Sequence, residues 1–180
     1  MDLAEGFRCH GDKIVKKWVE YTLETYKSST FFIKESDQFA NPVGGNIRAG
    51  LTALFPLLVK GADSAEFAGP LDKIISIRSV QEFSPAQAVS PLNAVKHIAR
   101  DVFSADKERV HLTQQLYDFD FAVDLAVFAA FDLYMGYRER LYQVRLQEIK
   151  TGSQILTDSR CPSKLLSDEN TSVLPKVNGI

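Results

Sequence analysis

The chain has 180 residues, 45% apolar and 24% charged, an ordinary globular balance with material for one sizeable core. A net charge of −2, with no Lys/Arg cluster on any predicted helix face, argues against a nucleic-acid partner. Cys9 and Cys161 lie far apart, and neither a signal-peptide pattern nor a run of about 18 apolar residues occurs, so a cytoplasmic protein with reduced thiols and no membrane span is expected.

Ile14, Val15, Trp18, Val19, Thr22 and Tyr26 share one face of a first predicted helix, Asp12–Tyr26, and Lys13, Lys16, Lys17, Glu20 and Glu24 fall mainly on the other. Ser28, Ser29 and Thr30 interrupt it. The aromatic stretch with Phe31, Phe32, Ile33 and Phe39 then reads as a loop folded back on the core. Asn41 and Pro42 make a clear helix start, a side-chain cap followed by a residue that needs no amide hydrogen. From there Val43, Ile47, Leu51, Leu54, Phe55 and Leu58 repeat at helical spacing to Lys60 and Gly61, with Pro56 predicting a kink or an early end. Gly44 and Gly45 each weaken the first turn by about 1 kcal/mol relative to alanine, for which close backbone approach is one reason.

A third helix is predicted from Ser64 or Pro70 to Gln81, carrying Leu71, Ile74, Ile75, Ile77 and Val80. The fourth opens on Ser84-Pro85-Ala86-Gln87, a capping box with proline in the first turn, and runs to about Ser104. No alternating run bounded by hairpin dipeptides occurs, so the fold class is all-α: a bundle of five principal helices with a long C-terminal one.

That last helix is predicted over Asp106–Lys150, where Gly136 is the only breaker. Unbroken, it would reach roughly 65 Å, so it must bend, break or leave the domain. Leu112, Leu116, Phe119, Val123, Ala126, Ala130, Leu133 and Tyr137 follow a four-three spacing that reads as a heptad seam for a dimer. Phe121, Phe128, Met135 and Tyr142 form a second apolar line on the opposite side, with Leu125 and Phe131 beside it. A helix apolar on two faces is covered on two faces. Either one face closes its own core while the other meets a second copy or another protein, or a single protomer surrounds both. Residues 151–180 hold few large apolar side chains and are expected to form a disordered tail after a domain spanning residues 1–150; Ile155, Leu156, Leu165 and Leu166 could dock on a neighbour.

Two passages carry a resemblance. Phe39-Ala40-Asn41-Pro42-Val43-Gly44 followed by Ile47-Arg48 and Leu51, and Ile74–Val80 followed by Gln81-Glu82-Phe83-Ser84-Pro85-Ala86-Gln87-Ala88, resemble the N-terminal domain of the RsbT co-antagonist RsbRD family over roughly Trp18–Val102. The resemblance implies a sensory or regulatory input domain, of the kind that precedes a STAS or histidine-kinase module. It further implies a globin-like helical packing without haem, paired as a dimer, with the last helix leading to the output. Nothing after Lys150 is expected to form such a module, so the resemblance is to the input domain alone.

Arg48 and Arg78 each interrupt an apolar helix inside these blocks. Asp118, Asp120, Asp124 and Asp132 lie in a stretch without lysine or arginine, so an arginine of a neighbouring helix is the expected counter-ion. The alternative is that Arg48, Arg78, Gln81 and Gln87 line a polar site for an anionic signal at the Pro42 helix start. His97 and His111 could offer an axial imidazole, but His97 sits with Lys96 and Arg100 on a polar side and is expected to be exposed. With no Ser/His/Asp constellation, no phosphate loop after a strand and no Cys/His pair at metal spacing, neither an enzyme nor a bound metal or cofactor is expected. The sequence therefore predicts a non-catalytic sensory domain that forms a homodimer and meets a signalling protein, or alternatively a receptor or carrier for a small apolar or anionic molecule.

Overall fold

In a computed structural model, residues 2–35, 37 and 39–151 are described, and the predicted tail lies outside them. The helices are α1 (Leu3–Glu24), α2 (Ser29–Lys34), α3 (Pro42–Lys60), α4 (Ser64–Val80), α5 (Pro85–Ser104) and α6 (Tyr117–Thr151), with a 3-10 turn at Val110–Gln115. No strand occurs among the described residues, as the all-α reading requires. The chain divides into two compact units between Arg138 and Glu139. In the first, α1 packs on α3 and α5, and α3 packs along α4.

The five predicted helices are present, and α2 is an additional short one. The aromatic stretch expected to be a loop thus holds one turn and a half of helix, with Phe32 packed edge-on against Tyr26 at 5.3 Å between ring centres. The first helix starts at Leu3 rather than Asp12 because Asp2 caps it, accepting from the Glu5 amide at 2.8 Å, and Phe7 is buried in the core. Pro56 does not end α3, which continues to Lys60 and closes on Gly61 in the left-handed conformation (φ 67°). The Ser84 box forms as read: the Gln87 amide donates to Ser84 Oγ (3.3 Å) and the Ser84 amide to Gln87 Oε1 (3.0 Å).

Close approach between α3 and α4 depends on Gly50. A Cβ there would stand 2.6 Å from Ile74 Cγ1 and 2.9 Å from the Pro70 carbonyl oxygen, so only a residue without one lets the two backbones meet.

The long helix differs most from its expectation. It does not run from Asp106; the chain first makes a turn in which Asp106 accepts from the Glu108 and Arg109 amides, then the 3-10 turn, and α6 begins only at Tyr117. Leu112 and Leu116 reach the core from this irregular segment, which preserves the heptad spacing while interrupting the helix. The proposed dimer seam is corrected as well: Leu112, Leu116, Phe119, Val123, Ala126 and Ala130 are buried inside their own protomer, and Leu133 and Tyr137 are half-buried. Phe119 meets the rings of Phe7 (4.9 Å) and Phe55 (6.2 Å), so the four-three spacing marks the core-facing stripe. Heptad spacing alone does not distinguish a core stripe from a seam between chains.

Candidate functional site

Three features stand out against this frame: a buried arginine, a cleft beside α2, and the outer face of α6.

Arg78 on α4 is fully buried, and no carboxylate faces it among the described residues. Its Nε donates to the Ala88 carbonyl (2.9 Å), Nη2 to the Gln87 carbonyl (2.9 Å) and Nη1 to Thr25 Oγ1 (3.1 Å). The guanidinium lies over the Phe83 ring at 4.2 Å and the Tyr26 ring at 5.0 Å. Its choice of partners has a covalent cause. In a regular helix the Gln87 carbonyl would accept from residue 91, but Pro91 has no amide hydrogen, and Arg78 supplies the missing donor. Burial lowers the Arg78 pKa and raises that of Tyr26, each shift partly offset by the other group. The Tyr26 hydroxyl and Gln81 Oε1 are buried beside this cluster without a hydrogen bond of regular geometry among the described residues, next to a hollow of about 300 Å³ formed with Lys27, Glu82 and Phe83.

The expected arginine counter-ion for the α6 acids is therefore only partly right. Asp120 pairs with Arg100 and Asp124 with Lys96, both from α5, while Asp118 and Asp132 are exposed; neither Arg48 nor Arg78 takes part. The four residues read as one polar site also separate. Gln81 and the Gln87 backbone gather near Arg78, and the Gln87 side chain is engaged in its capping box. Arg48 lines a different cleft.

At that cleft the end of α2 and the start of α3 share one polar junction. Asn41 is buried and serves both helices: its Oδ1 accepts from the Gly44 amide (2.7 Å), and its Nδ2 donates to the carbonyls of Phe32 (3.0 Å) and Glu35 (2.9 Å). Arg48 Nη2 adds donors to the Phe32 (2.6 Å) and Ile33 (3.1 Å) carbonyls, which a helix end leaves without partners. Asn41 and Arg48 both lie over the Gly44 Cα. A Cβ there would sit 2.8 Å from Arg48 Nη1, which accounts for a glycine in a helical first turn.

Beside this junction, α1 and α3 part to leave a cleft of about 630 Å³. Phe7, Val15, Val19, Ile33, Phe55 and Pro56 supply its apolar wall. Arg8, Asp12, Lys16 and Glu20 line it from α1.

The outer face of α6 is the second apolar line read from the sequence. Phe121 (58% exposed), Phe128 (65%) and Met135 (47%) are exposed, and Phe131 lies beside them (43%). In the second unit, Tyr142, Val144 and Ile149 are exposed, and Gln143 donates to Glu139 one turn back (2.6 Å).

Elsewhere, His97 and His111 are both exposed, and His10 bonds Asp106 at 3.0 Å. Among the described residues no three His, Cys, Asp or Glu side chains converge as metal ligands, and no helix is long and apolar enough to cross a membrane. Sequence reasoning named Arg78 but not its cage of Tyr26 and Phe83, nor the double role of Asn41. Pro91, six residues into a capped helix, was the available signal for the first.

The profile of the RsbT co-antagonist protein rsbRD N-terminal domain matches residues 12–149. No curated protein and no solved structure matches the chain.

Proposed function

Since the chain belongs to the RsbT co-antagonist protein rsbRD N-terminal domain family, a regulatory family associated with signalling, we propose that it is a non-catalytic input domain that acts by pairing through the outer face of α6. The observation that carries this reading is the line Phe121, Phe128 and Met135, spaced by seven residues on a helix whose other side is already in the core. Large apolar side chains repeated along one face are costly to leave in water, roughly 1.5–3 kcal/mol for each one fully exposed, and a second copy aligned along the same helix covers them. Aromatic residues and methionine are also the types enriched where proteins meet. A signalling protein would then read the state of the pair.

Sedimentation equilibrium tests the pairing. Wild type is expected to be a dimer and Phe128→Glu a monomer that keeps the wild-type helical content, because residue 128 is exposed in the protomer. A wild-type protein that stays monomeric up to its solubility limit would end this reading.

A further inference from the structure

We propose that the cleft between α1 and α3 is a binding site for a small organic acid, an apolar body carrying one carboxylate that Arg48 receives.

The charges leave Arg48 as the distinctive group. Arg8, Asp12, Lys16 and Glu20 recur every fourth residue along α1, two of each sign, and cancel locally. Arg48 is the remaining charge on the cleft wall, and no carboxylate pairs with it among the described residues. Its Nη2 is fixed by the Phe32 and Ile33 carbonyls, so the guanidinium plane is held before any ligand arrives. Nε and Nη1 donate to nothing among the described residues, yet neither is sealed from solvent. An immobilised guanidinium with open N–H groups is the arrangement that receives a planar carboxylate.

The rest of the cleft selects the body of the ligand. The wall of Phe7, Val15, Val19, Ile33, Phe55 and Pro56 offers aliphatic and aromatic surface and little to hydrogen-bond. A volume of about 630 Å³ falls in the range of small-molecule sites. An inorganic anion would leave that wall wet, and a neutral apolar molecule would leave Arg48 Nε and Nη1 without an acceptor. The inference does not depend on pairing through α6, which lies outside this cleft.

Calorimetric titration of the full chain with 4-phenylbutyrate and with its uncharged analogue 4-phenylbutyramide tests the assignment. The acid is expected to bind about tenfold or more tightly than the amide, the discrimination of one charge-assisted contact. Arg48→Gln, which keeps a donor for the Phe32 and Ile33 carbonyls, is expected to erase that preference. Thr52→Trp, at an exposed cleft position away from the α2 junction, is expected to block both probes while the protein melts as wild type does, and it decides the matter if Arg48→Gln fails to fold. Equal affinity for acid and amide, no binding of either, or acid binding that survives Thr52→Trp would each overturn the proposal.

Discussion

Replacing Arg78 by methionine isolates what a buried guanidinium without a carboxylate contributes. Methionine keeps most of the stem and its packing, so the change removes three hydrogen bonds and two ring contacts while opening little cavity. Three charge-assisted bonds at about 1.5–3 kcal/mol each, with a desolvated cation–π contact of about 2 kcal/mol, set a gross loss of roughly 6–11 kcal/mol. Against it stands the several kcal/mol of guanidinium desolvation that the apolar residue no longer bears. A net destabilisation of about 2–4 kcal/mol is expected, measured by urea unfolding. The coupling to Pro91 is the sharper test. In Pro91→Ala the restored amide can reach the Gln87 carbonyl, so one of the acceptors that Arg78→Met orphans is satisfied. The double mutant should therefore be less destabilised than the sum of the single mutants by about 1 kcal/mol or more. Strict additivity, or Arg78→Met unfolding at the wild-type urea concentration, would refute the account of why the arginine is there.

Gly50→Ala should lower the melting temperature, because overpacking against Ile74 and the Pro70 carbonyl costs about 1–3 kcal/mol and outweighs the roughly 1 kcal/mol that alanine gains in an open helix. Gly136→Ala, where a Cβ meets nothing within 4 Å, should raise it; calorimetry on both separates packing from propensity. Asp106 is held at about 2, below its ordinary 3.8, first by its hydrogen bond from Arg109 and then by that with His10. A lowered folded-state value means that this stabilisation is complete above about pH 4 and lost as pH falls from there towards 2. Melting curves should show wild type above Asp106→Asn near neutral pH, with the gap closing over that window; a gap independent of pH would contradict the assignment.

Where local chemistry decides, the sequence was a sufficient guide. Ser84 with Gln87 and Asn41 with Pro42 mark helix starts because a side-chain cap acts within three residues. A break was among the expectations for so long a helix, but its place before Tyr117 was not legible, for the opposite reason. No proline or glycine announces it, and Leu112 and Leu116 keep their spacing because the core, not the helix, requires them there. Arg78 was misjudged through its expected partner: a buried cation suggests a carboxylate, whereas here backbone carbonyls and ring faces serve. Arg48 drew attention as a charge in an apolar run, but its role depends on α2, whose six residues carry too little periodicity to read. The outer line of α6 was visible in the sequence; which of its two apolar faces closes the protomer was a question of tertiary packing alone.

Trp18 is the sole tryptophan of the chain, wholly enclosed, with its indole N–H held by the Pro91 carbonyl at 2.8 Å. The protein thus contains its own optical probe at the contact of α1 with α5. Excited at the red edge, it should emit at short wavelength and resist quenching by iodide, and any ligand or partner that prises these two helices apart would shift its colour without a label being attached.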